Sequence, residues 1–342
     1  MGRKPTRNKN LPAGMRARHR GNTTYFFLDT GSKPRKEISL GKDYVLAVKK
    51  WAELSISKEP SSGVVTFRYV AERYIHDVLP GKAPETQRVN LSELKRLYAF
   101  FDNPPAPINQ IEPLNIRQYL DWRKDSPVAA NREKALFSHI FNYAREKGLT
   151  SNTNPCAGVK GNKEDGRDVY VDDAIFKAVW TAGSESLQDA MDLAYLTGQR
   201  PADVLKLARS DIKDGELSIQ QNKTGKRLRI KISGELALVI QRITARRVTG
   251  MNLITGKNGA PLNSFNLRNA FARARKAAIT ANPELADKLS AFQFRDLRAK
   301  AGTDKEESSG MSAAQDQLGH ATATMTAHYV RHRRGKLVDP TK

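Results

Sequence analysis

Cysteine is almost missing from this chain of 342 residues; the single one is Cys156. That excludes an intrachain disulfide and any multi-cysteine zinc site. No apolar run approaches the ~20 residues that span a bilayer. The first twenty residues are basic, with no apolar stretch behind them, so they do not read as a secretory signal. No Gly-x-x-x-x-Gly-Lys-Ser/Thr phosphate loop occurs, and no internal repeat is apparent. Acids are scarce too: 36 Asp and Glu stand against 58 Lys and Arg, for a net charge of +22. A hydrophobic fraction of 39% still supports real cores. These features together read as a soluble protein of a reducing compartment. A surface this basic points to a polyanionic partner, most simply nucleic acid.

The length suggests two or three domains. Residues 2–20 hold seven basic residues and no acid, together with Pro5, Pro12 and Gly14, and read as an arm outside any core. Residues 23–28 and 36–41 read as a strand pair around a turn at 29–32. Residues 44–54 follow with Leu46, Val48, Trp51 and Leu54 at helical spacing. This gives a small module over 1–58. A Pro, Ser and Gly stretch separates it from a helical segment, 64–159, with helices expected near 67–75, 86–101, 116–123 and 129–147. Gly148 is placed to stop the last one. A second linker, 160–167, leads into a mixed α/β segment, 168–342. The fold class is therefore multidomain α+β.

That last segment holds the residues with chemical promise. Gly198 ends one helical pattern and Pro201 opens the next, which puts Arg200 at a rigid bend suited to clamping a phosphate. Residues 217–221 and 228–232 alternate apolar and polar side chains around Asn222-Lys223-Thr224-Gly225-Lys226. This is a β-hairpin with Lys223 and Lys226 at its tip. Arg295 and Arg298 are three residues apart at the start of a helix and share a face, where like charges repel unless an anion sits between them. Leu318-Gly319-His320 ends a further helix, and Tyr329 follows nine residues on. Taken singly, each of these is more simply a surface cation, a capping histidine or a packed aromatic.

In this order and at these gaps, however, Thr197-Gly198-Gln199-Arg200, the hairpin lysine, Arg298, Leu318-Gly319-His320 and Tyr329 resemble the tyrosine recombinase family. The whole chain is similar to the lambda-type phage integrases. The resemblance covers all three segments. It implies a small N-terminal β module for arm-type DNA sites, a helical core-binding domain, and a mixed α/β catalytic domain.

For the chemistry, the resemblance implies a tyrosine hydroxyl attacking a DNA phosphodiester to leave a 3′-phosphotyrosyl link. The covalent link keeps the bond energy, so neither nucleotide nor metal cofactor is implied. It assigns Tyr329 as nucleophile, Arg200 and Arg298 as the phosphate clamp, and Lys223 as general acid, with Lys226 as the competing choice. His320 is implied as phosphate donor or proton relay, and Asp203 as a support for Arg200. His328 and His332 are incidental neighbours. The family usually carries His-x-x-Arg where this chain has Arg295-Asp296-Leu297-Arg298; arginine can donate to phosphate but cannot shuttle protons near neutral pH.

The partners implied are double-stranded attachment-site DNA and three further protomers, making a tetramer on two duplexes. The resemblance leaves room for a host DNA-bending protein and an excision factor. The basic tail, 331–342, is short for docking on a neighbour. Two rivals stand beside this reading: a non-catalytic DNA-binding regulator on the same scaffold, and a type IB-like topoisomerase.

Overall fold

The computed structural model describes residues 11–12, 14–21, 23–32, 34–56, 63–246, 250–256 and 259–330. The chain forms two compact units, residues 1–165 and 166–342. Among the described residues no helix is long and apolar enough to cross a membrane.

The first unit begins with an antiparallel sheet of β1 (Met15–Arg20), β2 (Thr23–Asp29) and β3 (Glu37–Gly41), in that order. The sequence reads residues 2–20 as an arm outside the core, and β1 corrects this for their C-terminal part. Met15 through Arg20 pair in register with Leu28 through Thr23. The missed signal is the alternation of Met15 and Ala17 with Arg16 and Arg18. Met15 is buried, whereas the arginines stay exposed. The Arg18 guanidinium lies 4.9 Å from the Phe27 ring centre, so an aromatic platform on β2 holds the basic strand. Residues 1–10, the rest of that arm, lie outside the described residues, as does the tail 331–342 with its docking role.

Helix α1 (Tyr44–Ile56) turns Ala47, Val48 and Trp51 onto Phe26 and Leu40. Four further helices follow: α2 (Phe67–Asp77), α3 (Pro84–Phe101), α4 (Pro113–Trp122) and α5 (Pro127–Glu146). These match the four expected helices. Three of them start two or three residues earlier than the apolar pattern suggests, because proline at the first helical position needs no hydrogen-bond partner for its nitrogen. Gly148 adopts φ 67 and stops α5 as anticipated. Fully buried Phe67 stacks on Phe137 at 5.0 Å and meets Phe101 at 5.4 Å, which seats α2 between α3 and α5. The same hydrophobic core contains Val48 and Trp51 of α1.

The second unit runs α6 (Asp173–Thr181), α7 (Glu185–Thr197), α8 (Pro201–Val204), then β4 (Ile212–Lys213), β5 (Glu216–Gln220) and β6 (Arg227–Lys231). It continues with α9 (Gly234–Ala245), α10 (Ser264–Ala281), α11 (Ala286–Ala291), α12 (Leu297–Leu318) and α13 (Ala323–Ala327). The expected hairpin is β5–β6, with Leu217 paired to Ile230 and Ile219 to Leu228. Helix α12 bends at Gly310, where φ 83 and ψ 168 leave the helical region.

A buried lysine seats α12. Lys300 is 1% exposed and donates to Asp173 Oδ1 at 2.6 Å and Asp304 Oδ2 at 2.9 Å. Tyr195 of α7 and Tyr170 each donate a hydroxyl to Asp304, at 2.8 and 3.0 Å. Such a buried ion is tolerable because two carboxylates pair with it and the Tyr170 and Tyr195 rings flank it. The cluster ties α7 to α12, the two helices whose ends carry the site.

Candidate active site

Two helix ends and one hairpin tip build the site. Helix α7 terminates at Gly198, which takes the left-handed conformation at φ 66. Arg200 follows as the residue capping α8, and its backbone carbonyl accepts from Val204 N at 2.9 Å. Helix α12 terminates the same way at Gly319, φ 67. A Cβ at Gly319 would sit 2.8 Å from Gln221 Nε2, so glycine is required there by contact as well as by conformation.

Arg298, on the first turn of α12, is the centre of the constellation. It is 3% exposed. It donates to the carbonyl of Gly198 at 2.6 Å and to that of Leu318 at 2.7 Å, joining the two helix ends. It also lies 2.9 Å from His320 Nε2. A guanidinium can only donate, so Nε2 is the acceptor and the imidazole proton resides on Nδ1, facing Thr326 Oγ1 at 3.1 Å. Tyr329 completes the group. Its ring centre lies 5.0 Å from that of His320 and 5.3 Å from the Arg298 guanidinium carbon. Its backbone is anchored by a bond from Tyr329 N to Thr326 O at 2.8 Å.

The electrostatics follow from this crowding of cations. Burial, then the charge of Arg200, lower Arg298 to about 10. Burial, then Arg298, Arg200 and Lys226, lower His320 to about 4. Both groups therefore bind protons less readily than in water, and a phosphate placed among them would reverse the effect. The sign for stability is fixed. The unfolded state takes up a proton at His320 near pH 6.5 and the folded state only near pH 4, so stability falls as pH drops through that window. His320→Gln is expected to flatten the pH dependence of chemical denaturation between pH 6.5 and 4 relative to the parent. Parallel profiles would refute the shift.

Arg200 is partly buried. Its Nη1 donates to Gln221 Oε1 at 3.3 Å and lies 3.9 Å from Asp203 Oδ2. Asp203, the support expected from sequence, also accepts from the Asn222 backbone at 2.8 Å, fastening the hairpin tip. Lys223 and Lys226 are exposed on that tip, and Lys226 is the one whose charge reaches His320. Arg295 sits apart from this group. The helix expected from Ala291 begins instead at Leu297, and Arg295 lies in the preceding 3₁₀ turn, exposed, donating to Gln293 Oε1 at 2.8 Å. Asp296 next to it is engaged by Arg167 Nε at 2.6 Å and caps Gln293 N at 2.8 Å. Sequence reasoning missed Gln199, Gln221 and Thr326. A signal for Gln221 existed: it continues the inward positions Leu217 and Ile219, and a polar residue at an inward position needs a buried partner.

Residues 173–335 match the model of the phage integrase family. That segment belongs to the family. The integrase of Enterobacteria phage 434 is 27% identical, with 98% of each chain covered. The integrase of Escherichia phage lambda is likewise 27% identical over 98% of each chain. Among solved structures, a lambda integrase dimer bound to a COC′ core site has a TM-score of 0.69 at 24% identity, covering 97% of this chain and 98% of that one. A lambda integrase tetramer bound to a Holliday junction also reaches 0.69, at 23% identity over 97% and 99%. These structures establish a shared fold: small sheet, helical segment and mixed α/β region. Arg200, Arg298, His320 and Tyr329 all lie within the segment that matches the family, in a fold shared with these integrases.

Proposed function

We propose that this site cuts and rejoins DNA through a 3′-phosphotyrosyl intermediate, as a site-specific tyrosine recombinase that integrates and excises a mobile element. The observation that carries this is Arg298, held between His320 at 2.9 Å and the Tyr329 ring at 5.3 Å. A guanidinium so placed sits where charge develops when the tyrosine attacks phosphorus.

In the forward step a bond forms between Tyr329 Oη and phosphorus, and the bond to the 5′-oxygen breaks. Arg200 and Arg298 stabilise the added charge on the equatorial oxygens. His320, next to the Tyr329 ring, hydrogen-bonds the phosphate or relays the tyrosine proton in this reading. A hairpin ammonium protonates the leaving 5′-oxygen, and attack by a second 5′-hydroxyl reverses the sequence on another strand. The net charge of +22 supplies the phosphate contacts that hold the duplex. The partners of this reading are attachment-site DNA and a tetramer on two duplexes, with a DNA-bending protein and an excision factor of the host or element as accessories. Trapping on a nicked suicide substrate tests it: a covalent adduct on a denaturing gel is expected. No adduct with the element's own ends would favour a non-catalytic binder, while relaxation of any plasmid would favour the topoisomerase.

Lys223 is the assigned acid, on the Asn-Lys-Thr-Gly pattern. Lys226 is the second reading, because its charge acts on His320. A substrate with sulfur at the bridging 5′ position separates them, since a thiolate leaves without a proton. The lysine whose alanine variant is slow on oxygen and parental on sulfur is the acid; Lys223→Ala is expected to show this pattern and Lys226→Ala a smaller loss.

Arg295, exposed in the turn before α12, is proposed to donate to the scissile phosphate once DNA is bound, in place of the family's usual histidine. Loss of one such donor is typically worth on the order of 3–4 kcal/mol, or about 100–1000-fold in rate. Arg295→Ala is expected to slow single-turnover cleavage by that factor and Arg295→Lys to recover part of it. Cleavage at the parental rate in Arg295→Ala would make Arg295 a solvated surface residue.

A further inference from the structure

We propose that Gln221 and Gln199 are positioning residues: a buried carboxamide relay that sets the hairpin's general acid in register with the phosphate clamp. The inference rests on the strand-exchange reading above and deepens it.

Both side chains are 1% exposed. Gln221 Nε2 donates to Gln199 Oε1 at 2.8 Å and to the Leu318 carbonyl at 2.9 Å. Its Oε1 accepts from Thr224 Oγ1 at 2.8 Å and from Arg200 Nη1 at 3.3 Å. Gln199 Nε2 in turn donates to the carbonyls of Thr197 at 2.9 Å and Gln317 at 3.0 Å. Every amide proton of the pair is thus used. The backbone of Gln221 also closes the hairpin tip, donating to Lys226 O and accepting from Gly225 N, each at 2.9 Å.

The placement is informative. Gln221 is the last residue before the tip that carries Lys223 and Lys226, so its side chain fixes where that tip starts. Its four partners belong to the Arg200 bend, the α12 terminus leading to His320, and the tip itself. The Leu318 carbonyl accepts from both Gln221 and Arg298, so the acid and the clamp share one anchor point. A purely structural filler at this inward position would be apolar, like Leu217 and Ile219 before it. Glutamate of the same shape would lose both donors and would draw Arg200 into an ion pair.

The relay's main effect is on the position of the acid, since Arg200 holds only its longest bond, 3.3 Å, and this gives it a specific signature. The experiment measures single-turnover cleavage at saturating DNA by full-length Gln221→Leu, Gln199→Met and Thr224→Val. Each is assayed on the ordinary phosphodiester and on the 5′-bridging sulfur substrate, with Lys223→Ala and Lys226→Ala as references. Gln221→Leu and Gln199→Met are expected to lose about 100-fold on oxygen, with DNA affinity within about threefold, and to return to within about fivefold of the parent on sulfur. Thr224→Val, a change at an exposed tip that cannot unfold the core, is expected to lose about fivefold on oxygen and nothing on sulfur. Equal losses on both substrates in the glutamine variants, or a parental oxygen rate in Thr224→Val, would overturn the relay. If neither lysine reference is rescued by sulfur, the hairpin-acid reading itself fails, and the relay's purpose with it; rescued lysines beside unrescued glutamines sink the relay alone.

Discussion

Tyr329→Phe is expected to bind core-site DNA within about threefold of the parent and to form no covalent adduct. Affinity in a protein of this charge is spread over many phosphate contacts, and deleting one hydroxyl removes none of the basic ones. The substitution keeps the ring, so the 5.0 Å packing on His320 and the seat of Arg298 at 5.3 Å are preserved. Only the hydroxyl proposed as the nucleophile is lost. His328, beside it on the chain, is exposed, and a histidine adduct would be labile to acid where a tyrosine phosphodiester is stable. The measurement is adduct yield on a nicked substrate after denaturation. An adduct of parental yield in Tyr329→Phe would move the nucleophile elsewhere.

Arg298→Met is expected to lower single-turnover cleavage by at least about 1000-fold while leaving stability within about 1 kcal/mol of the parent. The two halves of this expectation come from the same fact. Burial and the charge of Arg200 depress the arginine's proton affinity to about 10, so the folded protein holds this cation at a cost. Against that stand its bonds to Gly198 O and Leu318 O. Losing the guanidinium strands the Gly198 carbonyl and His320 Nε2, while Leu318 O keeps Gln221 as donor. The two contributions oppose each other, and methionine fills the volume. Arg298→Lys keeps the charge but cannot serve Gly198, Leu318 and a phosphate together, so it is expected to recover little of the rate. Urea denaturation and single-turnover cleavage on the same samples check both parts. A destabilisation of 3 kcal/mol or more, on the scale of a broken buried network, would show that Arg298 is chiefly structural.

The sequence carried the site further than it carried the fold's detail, for physical reasons. Arg200 and His320 follow glycines that end helices, and such glycines are punctuation that a chain displays locally. The hairpin was legible because its two strands alternate with period two. Strand β1 was masked because charge dominated the reading of a segment whose inward residues are only Met15 and Ala17. Lys300 had no local pattern to mark it as buried. Its burial depends on Asp173, far away in sequence, although Asp304 one turn on was a visible half of the pair. Gln199 and Gln221 were invisible as partners, since a carboxamide's worth lies in what it faces across 22 residues. Arg295 was assigned to a helix that starts two residues later, because the 3₁₀ turn before it is set by Asp296 capping Gln293 and by Arg167 reaching in.

The single core of the first unit bears on any attempt to exchange recognition modules between such proteins. Tyr44, Val48 and Trp51 of α1 line one apolar pocket with Ile75, Leu91, Leu94 and Tyr98 of the helices beyond residue 63. A graft that swapped the sheet and α1 at the 57–62 junction would replace half of a packed surface and keep the other half. The incoming piece would need its own residues of matching volume at the Val48 and Trp51 positions, or the recipient's Leu91 and Leu94 would face water. Exchanging the small sheet is therefore a repacking problem first, because α1 packs on Phe26 and Leu40 of the sheet on one side and on the helices beyond residue 63 on the other.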